Sequence, residues 1–387
     1  MIKKLCASWL LVAACVAGVP AQAATVLPPP VTAKAWLLLD ATSGQVMASL
    51  NPDARIEPAS LTKIMTAYLV FQALGDGRLS AQQQVTVSTR AWKVAPGSSK
   101  MFLEPGKRVS INDLLFGLLV QSGNDAAIAL AEATSGSVEA FVLRMNQQAQ
   151  QMGLQGTHFA SPHGLPDPGT YSTARDLSVL AQRLVRDFPD LYKTYDSVRT
   201  FTYNNISQSN RNRLLWVDPS VDGLKTGHTD AAGYCLIASA QRPDGEIQRR
   251  LISVVLGTAS EKLRTQDSQV LLNWGFQNFK TVKLYAKGET MGTPEVWKGE
   301  QNVVRIGLAR DTYVTVPRTA EVKPVLTQQQ PLMAPIAVQD TVGSLQVLVD
   351  GQPAGQWPVV ALDAVPQAGI AVRAWDTVRL WWRQTMG

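Results

Sequence analysis

Ser60-Leu61-Thr62-Lys63 opens an amphipathic stretch, and nowhere else in the chain does a lysine follow a serine by three residues. Pro58 precedes it, and apolar residues at Leu61, Ile64, Met65, Tyr68 and Leu69 recur at helical spacing up to Gly75. Hydroxyl and amine therefore share one helical face, a turn apart. A helix start also offers unpaired N–H groups and the positive end of the dipole. Alone, such a pair reads as a helix cap and a solvated lysine. The constraint comes from Ser122-Gly123-Asn124 and Lys225-Thr226-Gly227, which follow in that order. A chain that uses all three must fold a helix start, a turn and a strand into one cleft.

Lys3-Lys4, the apolar run Leu5 to Val19 and Ala21-Gln22-Ala23 read as a secretory signal cleaved before Ala24, so residues 1–23 are expected to be removed. Val12-Ala13-Ala14-Cys15 also fits a lipoprotein box, although the Ala21 to Ala24 pattern followed by Pro28-Pro29-Pro30 fits ordinary cleavage better. Cleavage after Ala23 leaves Cys235 as the only cysteine and excludes an internal disulfide in an oxidising compartment. Cys235 reads as a small buried apolar residue, because no activating histidine accompanies it. With 387 residues the chain can build two cores. Its 36 basic and 30 acidic side chains leave a net charge of +6, a balance that suits an anionic lipid surface, although a solvated face is the simpler reading. No basic run with stacking aromatics points to nucleic acid.

Ala35 to Leu39, a turn at Thr42-Ser43-Gly44 and Gln45 to Ala48 predict a hairpin. Ser110 caps a second helix whose apolar run, Leu114 to Val120, stops at Ser122; Asn124 or Asp125 can cap the next, through Ile128 and Leu130 to Ala133. Gly233 to Ala238 and Leu251 to Leu256 predict paired strands around Pro243-Asp244-Gly245, with Lys225-Thr226-Gly227 on an adjacent strand. A helix with Val270, Leu271 and Trp274 on its apolar face closes the domain. The expected class is α+β, helices on an antiparallel sheet with one face of the sheet covered, over residues 24–280.

Beyond about Phe279 short β-rich segments take over: Val282 to Tyr285, Val303 to Leu308, Tyr313 to Val316, Leu345 to Val349 and Trp357 to Leu362. Residues 281–364 thus read as a small all-β sandwich or barrel. In residues 365–387, Ala371, Ala374, Trp375, Val378, Trp381, Trp382 and Met386 form one helical stripe, and Arg373, Asp376, Arg379 and Arg383 occupy the other side. Apart from the leader, no run is long enough to span a bilayer. The tail is expected to lie in a membrane interface, with docking of its apolar stripe on the β domain as the alternative.

The residues permit serine acyl transfer. Ser60 supplies the nucleophile, and a neutral Lys63 could take its proton if burial and a second cation, Lys225, lowered its pKa. Ser122 and Asn124 add polar groups opposite, and Lys225-Thr226-Gly227 gives a cationic strand for a carboxylate. S-x-x-K, an S-D-N element and K-T-G are an established signature of class A β-lactamases and penicillin-binding proteins, and here the middle element reads Ser122-Gly123-Asn124. Pro58 to Thr66, Ser122 to Ala126, Val221 to Thr229, the β-rich second domain and the amphipathic tail together resemble the D-alanyl-D-alanine carboxypeptidases among low-molecular-mass penicillin-binding proteins.

That resemblance implies a penicillin-binding-protein/β-lactamase-like transpeptidase domain. Ser60 would attack the penultimate D-Ala carbonyl of a peptidoglycan pentapeptide stem, and β-lactams would acylate the same serine. Backbone N–H groups of Ser60 and His228 would hold the oxyanion. Ser122 would link Lys63 to Lys225 and protonate the leaving amine, and Asn124 would hold the donor peptide. Thr226 of the Lys225-Thr226-Gly227 strand, with Arg211 and Arg264, would receive the free carboxylate. The side chain of His228 is either structural or a base for deacylation. The protein would act in the periplasm, attached peripherally to the outer face of the inner membrane.

No cofactor or metal is expected, since His158, His163 and His228 are too scattered for a metal site. A β-lactamase is disfavoured because His158 to Thr173 holds no Glu to position deacylating water. A peptidoglycan endopeptidase with the same catalytic set would generally lack the β domain and tail. A non-enzymic wall scaffold conflicts with the complete set of Ser60, Lys63, Ser122, Asn124, Lys225 and Thr226.

Overall fold

The structure is a computed structural model that describes residues 26–386; the expected leader, its cleavage site and Cys15 lie outside the described residues. Strands β1 (Ala35–Asp40) and β2 (Gln45–Leu50) form the anticipated hairpin. Helices α1 (Lys63–Gly75), α2 (Ile111–Leu119), α3 (Asn124–Ser135), α4 (Val138–Gln151) and α5 (Ala174–Asp187) follow. Strands β3 (Val221–Thr229), β4 (Gly233–Asp244) and β5 (Ile247–Thr258) then complete an antiparallel sheet in the order β2-β1-β5-β4-β3. Early and late parts of the chain are thus stitched together where β1 pairs β5, from Ala35 opposite Leu256 to Asp40 opposite Leu251.

Both faces of this sheet are covered, which corrects the one-sided expectation. Leu37, Leu39, Ile237, Ile252 and Val254 pack with the bundle α1–α5. Trp36, Leu38, Leu236, Ala238 and Val255 pack with Leu271, Leu272 and Trp274 of α6 (Glu261–Asn278). The sign was present in β1, where every residue from Ala35 to Asp40 is buried; an unbroken apolar run marks a strand buried on both sides. Val270, expected on the apolar face of α6, is 42% exposed.

The Ser110 hydroxyl accepts from the Asp113 N–H at 3.0 Å and caps α2 as anticipated. Neither Asn124 nor Asp125 caps α3. Its N-cap is Gly123, and both polar side chains are drawn elsewhere by stronger calls on their oxygens: Asn124 by Lys63, and Asp125 by backbone N–H groups of a neighbouring loop.

Strand β6 (Phe279–Tyr285) leads directly from α6 into the second domain. There β7 (Thr312–Pro317) pairs with β6, while β8 (Val322–Gln328), β9 (Thr341–Val349) and β10 (Gln352–Ala361) form a sheet with Ile306–Gly307 at its edge. Ile306, Val314, Leu345, Val347 and Val359 share one core. Strand β8 is not among the segments the sequence predicts, because Val322, Lys323, Pro324 and Val325 do not alternate and a proline interrupts them.

The two domains meet at a buried ion pair. Arg249 and Asp40 are both fully buried, with Nε 2.7 Å from Oδ2. That same oxygen accepts from the hydroxyls of Thr281 (2.6 Å) and Thr315 (2.8 Å) of the β domain. Arg249 also donates to the carbonyls of Gly275 (3.2 Å) and Phe279 (2.7 Å), where α6 passes into β6.

Helix α7 (Ile370–Met386) closes the chain with its polar side inward. Asp376 accepts from the Lys298 N–H at 2.7 Å, Arg383 pairs with Glu295 at 2.7 Å, and Arg379 and Arg383 lie over the Trp297 ring. Trp375, Val378, Trp381, Trp382 and Met386 remain 57–67% exposed, so the apolar stripe is not docked on the β domain.

Removing one partner from a buried, hydrogen-bonded ion pair leaves a charge without compensation. Arg249→Ala is therefore expected to cost roughly 3–5 kcal/mol of unfolding free energy. Denaturant unfolding checks this; a change below about 1 kcal/mol would show that the joint contributes little.

Candidate active site

The nucleophile turn is shaped by what packs against it. Ala59–Thr62 forms a single 3-10 turn running into α1, and Ala59 is held at φ +49°. Ala59, Leu61 and Thr62 are buried, leaving Ser60 half-buried and open to the cleft. Two glycines permit this packing. A Cβ on Gly227 of β3 would stand 3.0 Å from the Pro58 carbonyl oxygen. One on Gly164, at φ +76°, would stand 1.9 Å from the Ala59 carbonyl oxygen.

One turn on, Lys63 is fully buried. Its Nζ lies 2.7 Å from Asn124 Oδ1, 2.8 Å from the His163 carbonyl oxygen and 3.0 Å from Ser60 Oγ. The first two are pure acceptors, but a hydroxyl can also donate. A neutral amine with two N–H groups satisfies Asn124 and His163 and turns its lone pair to the Ser60 hydroxyl. Burial, aided by the Arg211 charge and opposed by Asp125, lowers the Lys63 pKa from 10.5 to about 7. Arg211 thus joins the expected Lys225, whose charge and that of Lys63 repel each other, as a cation acting on this amine.

Lys225 is also buried, and donates to Ser122 Oγ at 2.9 Å and to the Thr226 carbonyl at 3.0 Å. Burial first, then the charges of Lys63, Arg211 and Arg264, push its pKa well down. The cleft therefore favours one charged lysine over two. Ser122 is held at φ +62°, aimed at Lys225. Its expected link to both lysines is reduced to one, because Asn124 occupies the place beside Lys63.

Ser60, Ser122, Asn124, Arg211, Thr226, Gly227, His228 and Arg264 line one cleft of about 410 Å³, together with the Gly97-Ser98-Ser99 loop. The two arginines differ. Arg264 is 3% exposed, with its Nη atoms 3.4 and 3.5 Å from the carbonyls of Gly227 and Arg211, so it buttresses the wall. Arg211 is exposed at the rim. His228 is exposed and packs on Tyr234, with ring centroids 4.0 Å apart.

Sequence reasoning missed several participants. The His163 carbonyl binds Lys63, and no side-chain pattern announces a backbone acceptor from a distant loop. Asp196 lies behind β3, 1% exposed, and neither of its carboxylate oxygens has a hydrogen-bond partner among the described residues. Burial and the Asp222 charge push its pKa well up, and Lys225 opposes them. Asp125, a capping candidate by sequence, instead accepts from the Met101 and Leu103 N–H groups. Cys235 is buried, and burial raises its thiol pKa to about 11, as suits an inert residue.

The profile of the D-alanyl-D-alanine carboxypeptidase family matches residues 22–260. The chain belongs to this family. Residues 279–367 of this carboxypeptidase-family chain match the C-terminal domain of penicillin-binding protein 5. The D-alanyl-D-alanine carboxypeptidase DacA of Haemophilus influenzae is 43% identical over 356 residues, covering 91% of this chain and 90% of that protein. The crystal structure of penicillin-binding protein 5 from Haemophilus influenzae superposes with a TM-score of 0.85 at 42% identity, over 88% of this chain and 99% of the other. Penicillin-binding protein D2 of Listeria monocytogenes, in an ampicillin-bound form, gives a TM-score of 0.58 at 31% identity over 65% of this chain and all of its own.

The close approach at Gly164 makes a sharp test of the nucleophile turn. Gly164→Ala is expected to displace Ala59–Thr62, cut penicillin labelling at least about a hundredfold and cost about 1–3 kcal/mol of stability. Fluorescent penicillin labelling and thermal unfolding measure both. Labelling at the wild-type rate would mean that the turn moves without consequence.

Proposed function

We propose that this carboxypeptidase-family chain removes the terminal D-Ala from peptidoglycan pentapeptide stems through an acyl-enzyme on Ser60. The observation that carries the reading is the buried Lys63 Nζ, 3.0 Å from Ser60 Oγ, with two pure acceptors on its other sides. Neutral Lys63 takes the hydroxyl proton as Ser60 Oγ bonds to the penultimate D-Ala carbonyl carbon. Backbone N–H groups of Ser60 and His228 receive the charge that develops on the carbonyl oxygen. The bond to the terminal D-Ala breaks as Ser122 gives the leaving amine a proton and takes one in turn from the Lys225 ammonium bonded to it. Water then attacks the ester carbonyl, Lys225 takes its proton, and Lys63 returns the first proton to Ser60 Oγ as the ester bond breaks.

Arg211 and Thr226 receive the free carboxylate, the planar fork of arginine being suited to it. That carboxylate also stabilises charge on Lys225, and the repulsion between lysines then favours neutral Lys63. Substrate thereby assists its own attack. β-Lactams carry a comparable carboxylate beside a strained amide and acylate Ser60 by the same route; the ampicillin-bound relative supports this.

We also infer that α7 attaches the protein to the outer face of the inner membrane, within the periplasm. Support comes from its outward, exposed Trp375, Trp381 and Trp382, with Arg379 and Arg383 lining the adjoining groove beside Trp297. No single helix among the described residues is long and apolar enough to cross a membrane.

Purified protein is expected to release D-Ala from a pentapeptide stem and, after penicillin, to carry one adduct on the Ser60 peptide by mass spectrometry. Ser60→Ala should lose the adduct; equal labelling would refute the nucleophile. The acylation rate should rise with pH up to about 7, because the base works deprotonated, and level off above. Deleting residues 370–386 should leave turnover intact and release the protein from anionic phospholipid vesicles. If the shortened protein still sediments with them, the anchor lies elsewhere.

A further inference from the structure

Among the described residues, Asp125 is the carboxylate whose charge works against the burial of Lys63, and its surroundings show why it sits there. It is 1% exposed on the first turn of α3, directly after Asn124. Its oxygens accept from the backbone N–H groups of Met101 (2.9 and 3.1 Å), Leu103 (3.1 Å) and Ala126 (2.9 Å). Met101 and Leu103 end the loop that carries Ser98 and Ser99 into the cleft. The Asn124 N–H closes the same junction on the Ser99 carbonyl at 2.8 Å. Three backbone donors hold a carboxylate that has no cationic partner within salt-bridge distance among the described residues. Opposite it stand Lys63 from α1 and Tyr203 from the Thr200–Tyr203 strand. Lys100 and Glu104 share the small pocket it lines. Lys63 itself faces Arg211, Lys225 and His163.

We propose that Asp125 is a positioning residue: it fastens the Gly97–Leu103 loop to the turn carrying Ser122 and Asn124, and it places one negative charge behind the Lys63–Asn124 contact. Both effects act on the base. The loop bonds fix Asn124, which orients the Lys63 amine. The charge lets Lys63 regain a proton, as it must after taking one from Ser60. Without it, burial and Arg211 would leave an amine too weakly basic to draw the hydroxyl proton efficiently.

The inference rests on Lys63 as the base for Ser60, and the test separates the two. Second-order acylation by a penicillin is followed against pH for the wild type, Asp125→Asn and Asp125→Glu. The wild type should show a limb with its midpoint near pH 7; its absence would sink the base assignment itself. Asp125→Asn keeps an acceptor but removes the charge, so its midpoint should fall by about one pH unit. Asp125→Glu restores the charge and should return the midpoint toward wild type, whatever its plateau rate. A midpoint unmoved in Asp125→Asn overturns the proposal, since a merely structural residue lowers the rate without moving the limb. Amide exchange on the wild type needs no variant to fold. Slow exchange at Met101 and Leu103, against fast exchange at the exposed Gly97, is expected; fast exchange at all three overturns the fastening.

Discussion

The buried amine of Lys63 is the constraint around which the catalytic domain is organised. An amine without water must find partners within the protein, and it finds them on three separate pieces of chain. The turn at Ser60, the start of α3 at Asn124 and the loop at His163 are thereby fixed to one atom. Two of these partners can only accept, so the third direction is left for the nucleophile. Burial that would be costly elsewhere becomes the means by which a lysine is kept neutral enough to act.

The sheet makes this arrangement stiff. Its helical covering on both faces buries β1 completely, and β3 delivers Lys225 and Thr226 from an edge that packs against the Ser60 turn. Gly227 and Gly164 let two backbones approach that turn more closely than any side chain would allow. Charge is distributed just as tightly. Two lysines and three arginines crowd the cleft; Asp125 and Asp196 oppose the lysines, one acting on each, and Glu261 stands 3.6 Å from Arg264.

Much of this was legible from residues alone. Helical spacing around Ser60, the cap at Ser110 and the hairpin at Thr42-Ser43-Gly44 are local signals, and the structure forms each of them. The class, the β-rich second domain and the family followed from motif order and changing texture. What escaped depends on tertiary approach. The second covered face of the sheet was signalled only by the apolar run of β1, because an amphipathic helix does not say which side it will meet. Asn124 and Asp125 looked like caps because capping is the local default, and long-range partners outbid it. The His163 carbonyl carries no sequence signal, and the difference between Arg211 and Arg264 is one of depth rather than residue type.

The joint at Asp40 has a mechanical consequence. One carboxylate oxygen is shared by an arginine of the sheet and by threonines on two strands of the other domain. Any swivel between the domains would strand that charge in an apolar setting, so hinge motion there is suppressed. The β domain then behaves as a stiff pedestal and not as a leash. A catalytic mouth mounted on such a pedestal keeps a fixed distance from the far end of the β domain, and polymer strands beyond its reach must come to it.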